Sequence, residues 1–177
     1  MSWEFPTSTC EVPVDGMPRQ PWSSLANALI IAMLLTRKRT KLVGSIILFE
    51  LVHLAAHVTY SKKLSLLQHL CIYPILHYYA RAGRWSRVAM AVDVLVTLFV
   101  GGFHQVASAF VLFYSYTISD MRVKVGGGAT FALLANEVVS CTHMLEFASL
   151  PYHLAPEILG SYVFYCMTED KPAYHGR

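Results

Sequence analysis

The chain has 177 residues, 55% of them hydrophobic and 14% charged, with a formal net charge of +3 and a mean hydropathy of +0.44. That is a membrane protein's balance, not a nucleic-acid binder's. Cys10, Cys71, Cys141 and Cys166 show no paired spacing, so neither a disulfide framework nor a Cys-based zinc site is indicated.

The opening stretch, MSWEFPTSTCEVPVDGMPRQP, carries acids and prolines where a signal peptide needs a basic and then an apolar segment, so residues 1–21 are expected to form a retained, ordered N-terminal cap. Breakers and charges divide the remainder into spans at residues 22–36, 41–60, 64–80, 85–101, 103–118, 127–148 and 151–167. Residues 168–177 are a C-terminal tail. The expected fold is all-α, an integral membrane bundle of seven transmembrane helices over residues 22–167, or six if the segments flanking Gly101 and Gly102 are one. The glycines at 126–128 lack the strand and spacing of a phosphate cradle and are read as loop and close helix packing.

Basic residues orient this bundle. Under seven spans, Arg37, Lys38, Arg39 and Lys41, then Arg81, Arg84 and Arg87, then Arg122 and Lys124 fall on one face, against Arg19, Lys62 and Lys63 on the other. Because cytoplasm-facing loops collect Lys and Arg, the amino terminus is placed on the non-cytoplasmic, or non-matrix, face.

Within that topology the segment FELVHLAAHVTY, residues 49–60, sets Glu50, His53 and His57 into an otherwise apolar helix. His53 and His57 share one side, one turn apart. Gln68, His69, His104, His143, His153 and Glu157 approach the same, amino-terminal face. Ionisable groups inside membranes are costly and face a cavity, a partner or a metal. Neutral imidazoles at i and i+4 with a carboxylate suit zinc, interhelical hydrogen bonding is the plainer role, and nothing selects the paired axial histidines of a haem. Asp93 is read as pairing with a neighbouring helix in preference to relaying protons, and Asn136 and Glu137 as lining the Glu50 cavity or bridging helices.

These residues resemble the alkaline ceramidases and the wider superfamily of seven-helix metal-dependent hydrolases and receptors that includes the adiponectin receptors. STCEVPVDGMPRQPWSSLAN is similar to the family's acidic Cys-Glu opening and its Ser-Asn-containing first helix, and LGSY at 159–162 repeats a Gly-Ser-Tyr of its last helix. The resemblance implies that His57 is the metal ligand ending helix two, with His53 where the family has serine and Gln68 near its aspartate. Two pairings compete in helix seven, Ser149 with His153 or His153 with Glu157, and the LGSY spacing favours the first. His53 or Glu157 would then complete the ligand set. Glu11 is retained from the family's calcium cluster, but Gln20 stands where an acid is expected, which argues against calcium.

Two functions are compatible with these residues. One is a zinc-dependent hydrolase of a lipid amide or ester, with His57 and His153 as ligands, His53 or Glu157 as the third and Gln68 orienting water. The other, favoured by the missing family residues, is a non-catalytic structural subunit of a larger organellar membrane complex, such as an energy-converting assembly of the mitochondrial inner membrane. Its partners would be membrane lipids and other membrane-protein subunits.

Overall fold

The computed structural model describes residues 11, 13–79, 88, 91, 92, 94, 95, 120–140 and 152–169. Among these the chain is all-helical, with five helices: α1 (Pro21–Leu35), α2 (Lys41–Thr59), α3 (Lys62–Tyr79), α4 (Met121–Ser140) and α5 (Leu154–Thr168). α2 packs on α1, α3 and α5, while α5 packs on α1 and α4.

The expected seven-span bundle is corrected by this arrangement. Among the described residues only α2 is long and apolar enough to cross a membrane. α1 and α5 have 15 residues each, about 22 Å at 1.5 Å per residue against a core of about 30 Å. α3 opens on Lys62 and Lys63 and holds Gln68, His69 and an internal Pro74. α4 places Arg122, Lys124 and three glycines in its first half. Residues 103–118 lie outside the described residues, as does most of 85–101, of which Val88, Ala91, Val92, Val94 and Leu95 are helical.

Local chemistry sets the helix ends. Pro21 opens α1, where its missing N–H is not needed. Gln20, the residue before it, supplies no side-chain cap. The Glu11 carboxylate does so instead, accepting from Trp22 N at 2.8 Å, Ser23 N at 2.9 Å and the Ser23 hydroxyl. Thr40 caps α2 through Val43 N, and Tyr60 closes it in the left-handed region at φ 53°, its N–H returning to Ala56 O. Asp120 caps α4, its side chain accepting from Arg122 N and its carbonyl from Lys124 N.

The packed interior has two halves. Ile30, Leu34, Ile46, Phe49, Ile75, Val123, Val163, Cys166 and Met167 form an apolar cluster. The other half, where α1 and α5 begin and α2 ends, is polar: Gln20, Ser23, Ser24, Asn27, Glu50, His53, His57, His153 and Glu157 are all buried. Phe49 stands at the junction, edge-on to both His53 and Phe164.

The outward faces carry the opposite polarity. Trp22, Leu25, Leu29 and Met33 follow helical spacing along the exposed side of α1, and Leu48 and Leu51 along that of α2. In the first half of α1 apolar side chains therefore point out while Ser23, Ser24 and Asn27 point in; in its second half Ile30 and Leu34 point into the apolar cluster. Water drives the reverse distribution.

Candidate metal centre

Three histidines and one glutamate converge in the polar half. His53 Nε2 lies 3.1 Å from Glu157 Oε1, His153 Nε2 2.9 Å and His57 Nε2 3.6 Å, while His53 Nε2 and His57 Nε2 are 2.9 Å apart. All four residues are buried. α2 supplies His53 and His57 from successive turns, and α5 supplies His153 just before its first residue and Glu157 one turn on, with Glu157 N bonded to His153 O. Pro156 is harmless there, because the first turn of a helix has N–H groups to spare.

Four donors held tetrahedrally at 2.0–2.1 Å from one ion stand about 3.3 Å apart; the four contacts above bracket that value, and all four donor atoms lie within 4.8 Å of one another. One carboxylate oxygen accepts poorly from three imidazoles at once, whereas one cation satisfies all four lone pairs. The cluster can hold a metal ion, and the donor set of neutral nitrogen plus carboxylate suits one.

A second layer holds the donors in place. The backbone of Gln20 bonds to His57 O at 3.2 Å, and its side chain reaches the ring. Gln20 Nε2 donates to Glu11 O at 2.8 Å, which turns Oε1 towards His57 Nδ1 at 2.7 Å. His57 Nδ1 therefore carries the hydrogen and donates it, leaving a lone pair on Nε2, the atom inside the cluster. Asn27 Nδ2 donates to Glu157 Oε2 at 3.0 Å, so that Oε1 alone faces the imidazoles. It also donates to Glu50 Oε2 at 3.0 Å and stands 3.2 Å from His53 Nδ1.

Each residue named from the sequence has a place in this picture. His53, His57, His153 and Glu157 meet, and of the two pairings weighed for the last helix the described residues hold His153 with Glu157; Ser149 lies outside them. Gln68, half-buried on α3, is not among the groups meeting at Glu157 Oε1. His69 is tied to its own helix through Ser65 O at 2.6 Å. Asn136 is exposed and donates to Tyr152 OH, away from Glu50. Asp93, His104, His143 and the side chain of Glu137 lie outside the described residues.

Gln20, Asn27 and Glu11 are the functional positions that sequence reasoning undervalued. Gln20, which stands where a calcium-binding acid is expected, instead fixes the His57 tautomer; Glu11 caps α1 and anchors Gln20. The legible signal was Asn27, a lone amide in a helix otherwise made of apolar and small residues. Comparison with protein-family models, curated proteins and solved structures gives no match for this chain.

Proposed function

We propose that this chain is a non-catalytic, zinc-tied membrane scaffold, a divergent relative of the alkaline ceramidases that serves as a structural subunit of a larger membrane assembly. One observation carries this reading: the cluster presents four protein donors, His53, His57, His153 and Glu157. Structural zinc sites are closed by four such donors, while hydrolytic ones keep a position for water. Glu157 Oε1 sits 2.9–3.6 Å from all three Nε2 atoms, where a fourth ligand belongs.

Zinc there would fasten the end of α2 to the start of α5, and Asn27 draws α1 into the same knot. The exposed apolar stripe of α1, Trp22, Leu25, Leu29 and Met33, beside an amide and hydroxyls buried in its first half, supports lipid or a partner subunit as its surroundings. The alternative is a zinc hydrolase of lipid amides or esters that uses the three histidines as ligands. Glu157 would then stand beside the metal as the base that takes the proton from water. The near-even placement of Glu157 among the imidazoles favours the closed site.

Metal analysis and an amidase assay on the detergent-purified chain decide between the two. The expected result is one zinc per chain and no release of fatty acid from an N-acyl lipid. Zinc-dependent turnover would overturn the scaffold, and a chain that binds no zinc at all would overturn both.

A further inference from the structure

Residues 37–41, Arg-Lys-Arg-Thr-Lys, run from the end of α1 into the first residue of α2 and put four cations into five positions. Arg37 is half-buried, its guanidinium carbon 3.9 Å from the centre of the Tyr165 ring, and ties this turn to α5. Lys38, Arg39 and Lys41 are exposed, and among the described residues they make no ion pair. The carboxylates of Asp120 and Glu169, at the same end of the helices, are both held by Arg122, at 3.1 and 2.7 Å. α2 has no acid in its first turn, so Lys41 stands where the helix dipole favours Asp or Glu. Three uncompensated cations beside the positive end of a helix repel one another, and a negative surface relieves that repulsion.

The flanks of the turn are apolar. Leu29, Met33 and Leu35 are exposed on the α1 side, and Leu48, two turns on from Lys41, is exposed on the α2 side. A phospholipid with a negative headgroup matches both features at once, with its phosphate at the cations and its acyl chains against these side chains. An acidic protein patch or a free phosphate meets the cations alone. Clusters of four or more Lys and Arg at the end of a membrane-embedded helix attract anionic headgroups at about fivefold in affinity per cation. We propose that the α1–α2 turn is a docking site for an anionic phospholipid, in which Lys38, Arg39 and Lys41 hold the headgroup and Leu35 and Leu48 meet its chains. This rests on the reading of the chain as a membrane scaffold and names the lipid class that one face of it selects.

The test uses the full-length chain in phosphatidylcholine proteoliposomes doped with spin-labelled phosphatidylglycerol or spin-labelled phosphatidylcholine. Electron spin resonance gives the motionally restricted fraction of each probe, and their ratio is the preference of the chain for the anionic lipid. The wild type is expected to prefer phosphatidylglycerol, and Lys38→Gln/Arg39→Gln/Lys41→Gln to lose most of that preference. Lys41→Gln alone should reduce it by up to about fivefold, and Lys63→Gln, an exposed cation beyond the far end of α2, should leave it unchanged. No preference in the wild type, an unaltered preference in the triple variant, or an equal loss in Lys63→Gln overturns the proposal. Displacement of the lipid by inorganic phosphate also overturns it, in favour of a soluble anion. Should the triple variant fail to incorporate, Lys41→Gln decides alone. A wild-type chain that enters no vesicle overturns the membrane reading beneath the proposal.

Discussion

Asn27 and Glu157 are 130 positions apart in the chain and meet at 3.0 Å, amide to carboxylate, in the interior. The contact occupies one oxygen of Glu157 and leaves the other to three imidazole nitrogens. Glu157 therefore faces the imidazoles through a single oxygen, and in a metal centre its loss is expected to open one position without displacing the histidines.

That relationship predicts an asymmetric response to mutation. Glu157→Ala should retain a Co2+ ion substituted for zinc but change its visible spectrum as solvent enters the fourth position. His57→Ala should lose the ion, with a larger drop in affinity than the 10–100-fold typical of an outer-sphere partner. Identical spectra for wild type and Glu157→Ala would show that Glu157 is not a ligand.

The helix pairs make a contrasting prediction at two glycines. A Cβ on Gly126 of α4 would lie 2.8 Å from Val163 Cγ2 of α5, whereas one on Gly160 would meet Thr130 Cγ2 at an ordinary 3.6 Å. Valine is stiff at χ1 and cannot easily yield. Gly126→Ala should destabilise by about 1–3 kcal/mol despite the better helix former. Gly160→Ala should be neutral or stabilising by up to about 1 kcal/mol, as read from thermal unfolding of both variants.

Glu11 offers a test of the N-terminal anchor. Its carboxylate satisfies Trp22 N, Ser23 N and the Ser23 hydroxyl in a buried setting. Glu11→Ala strands these donors and should cost about 1–3 kcal/mol. Because Gln20 leans on the Glu11 backbone, metal affinity should fall as well, though the mutated side chain touches no ligand. Chemical unfolding and zinc titration of the same sample measure both effects.

Lipid contact can be tested on α2. Leu51 sits near the middle of this helix and is exposed. Leu51→Arg should raise the insertion free energy by about 2.5–3.5 kcal/mol if that face meets acyl chains. The expected readout is a smaller carbonate-resistant membrane fraction. An unchanged fraction would mean that Leu51 faces water or protein.

A pH response is expected at the start of α4. Hydrogen bonds from the Arg122 side chain, reinforced by its backbone N–H, hold the Asp120 carboxyl below its ordinary value. The folded pKa is depressed, so the stabilisation is fully present above the unfolded value, about 3.9, and is lost as pH falls through the folded one. Asp120→Asn should therefore differ from wild type at neutral pH and converge with it in acid. Unfolding midpoints recorded across that range provide the check.

The site was more legible than the fold. His53, His57, His153 and Glu157 stood out because imidazole and carboxylate are conspicuous in apolar helices, and i, i+4 spacing places them on one side wherever the helix goes. Their supports were obscure because Gln20 and Asn27 act through contacts across helices, which no local pattern records. The segmentation into α1, α2 and α3 followed the Pro21, Thr40 and Lys62 punctuation closely. The number of spans did not, because apolar composition alone does not reveal that α1 and α5 stop after 15 residues or that α4 opens on charge and glycine.

The distance along the chain between α2 and α5 has a consequence for synthesis. Asn27, Glu50, His53 and His57 are synthesised well before their counterparts His153 and Glu157. Until then two imidazoles and a carboxylate of α2 lack their partners from the last helix. A prematurely terminated product ending after α4 retains every described helix but α5 and lacks the means to close the knot. If the cluster holds a metal, retention of that ion would distinguish chains that have acquired α5 from those truncated before it.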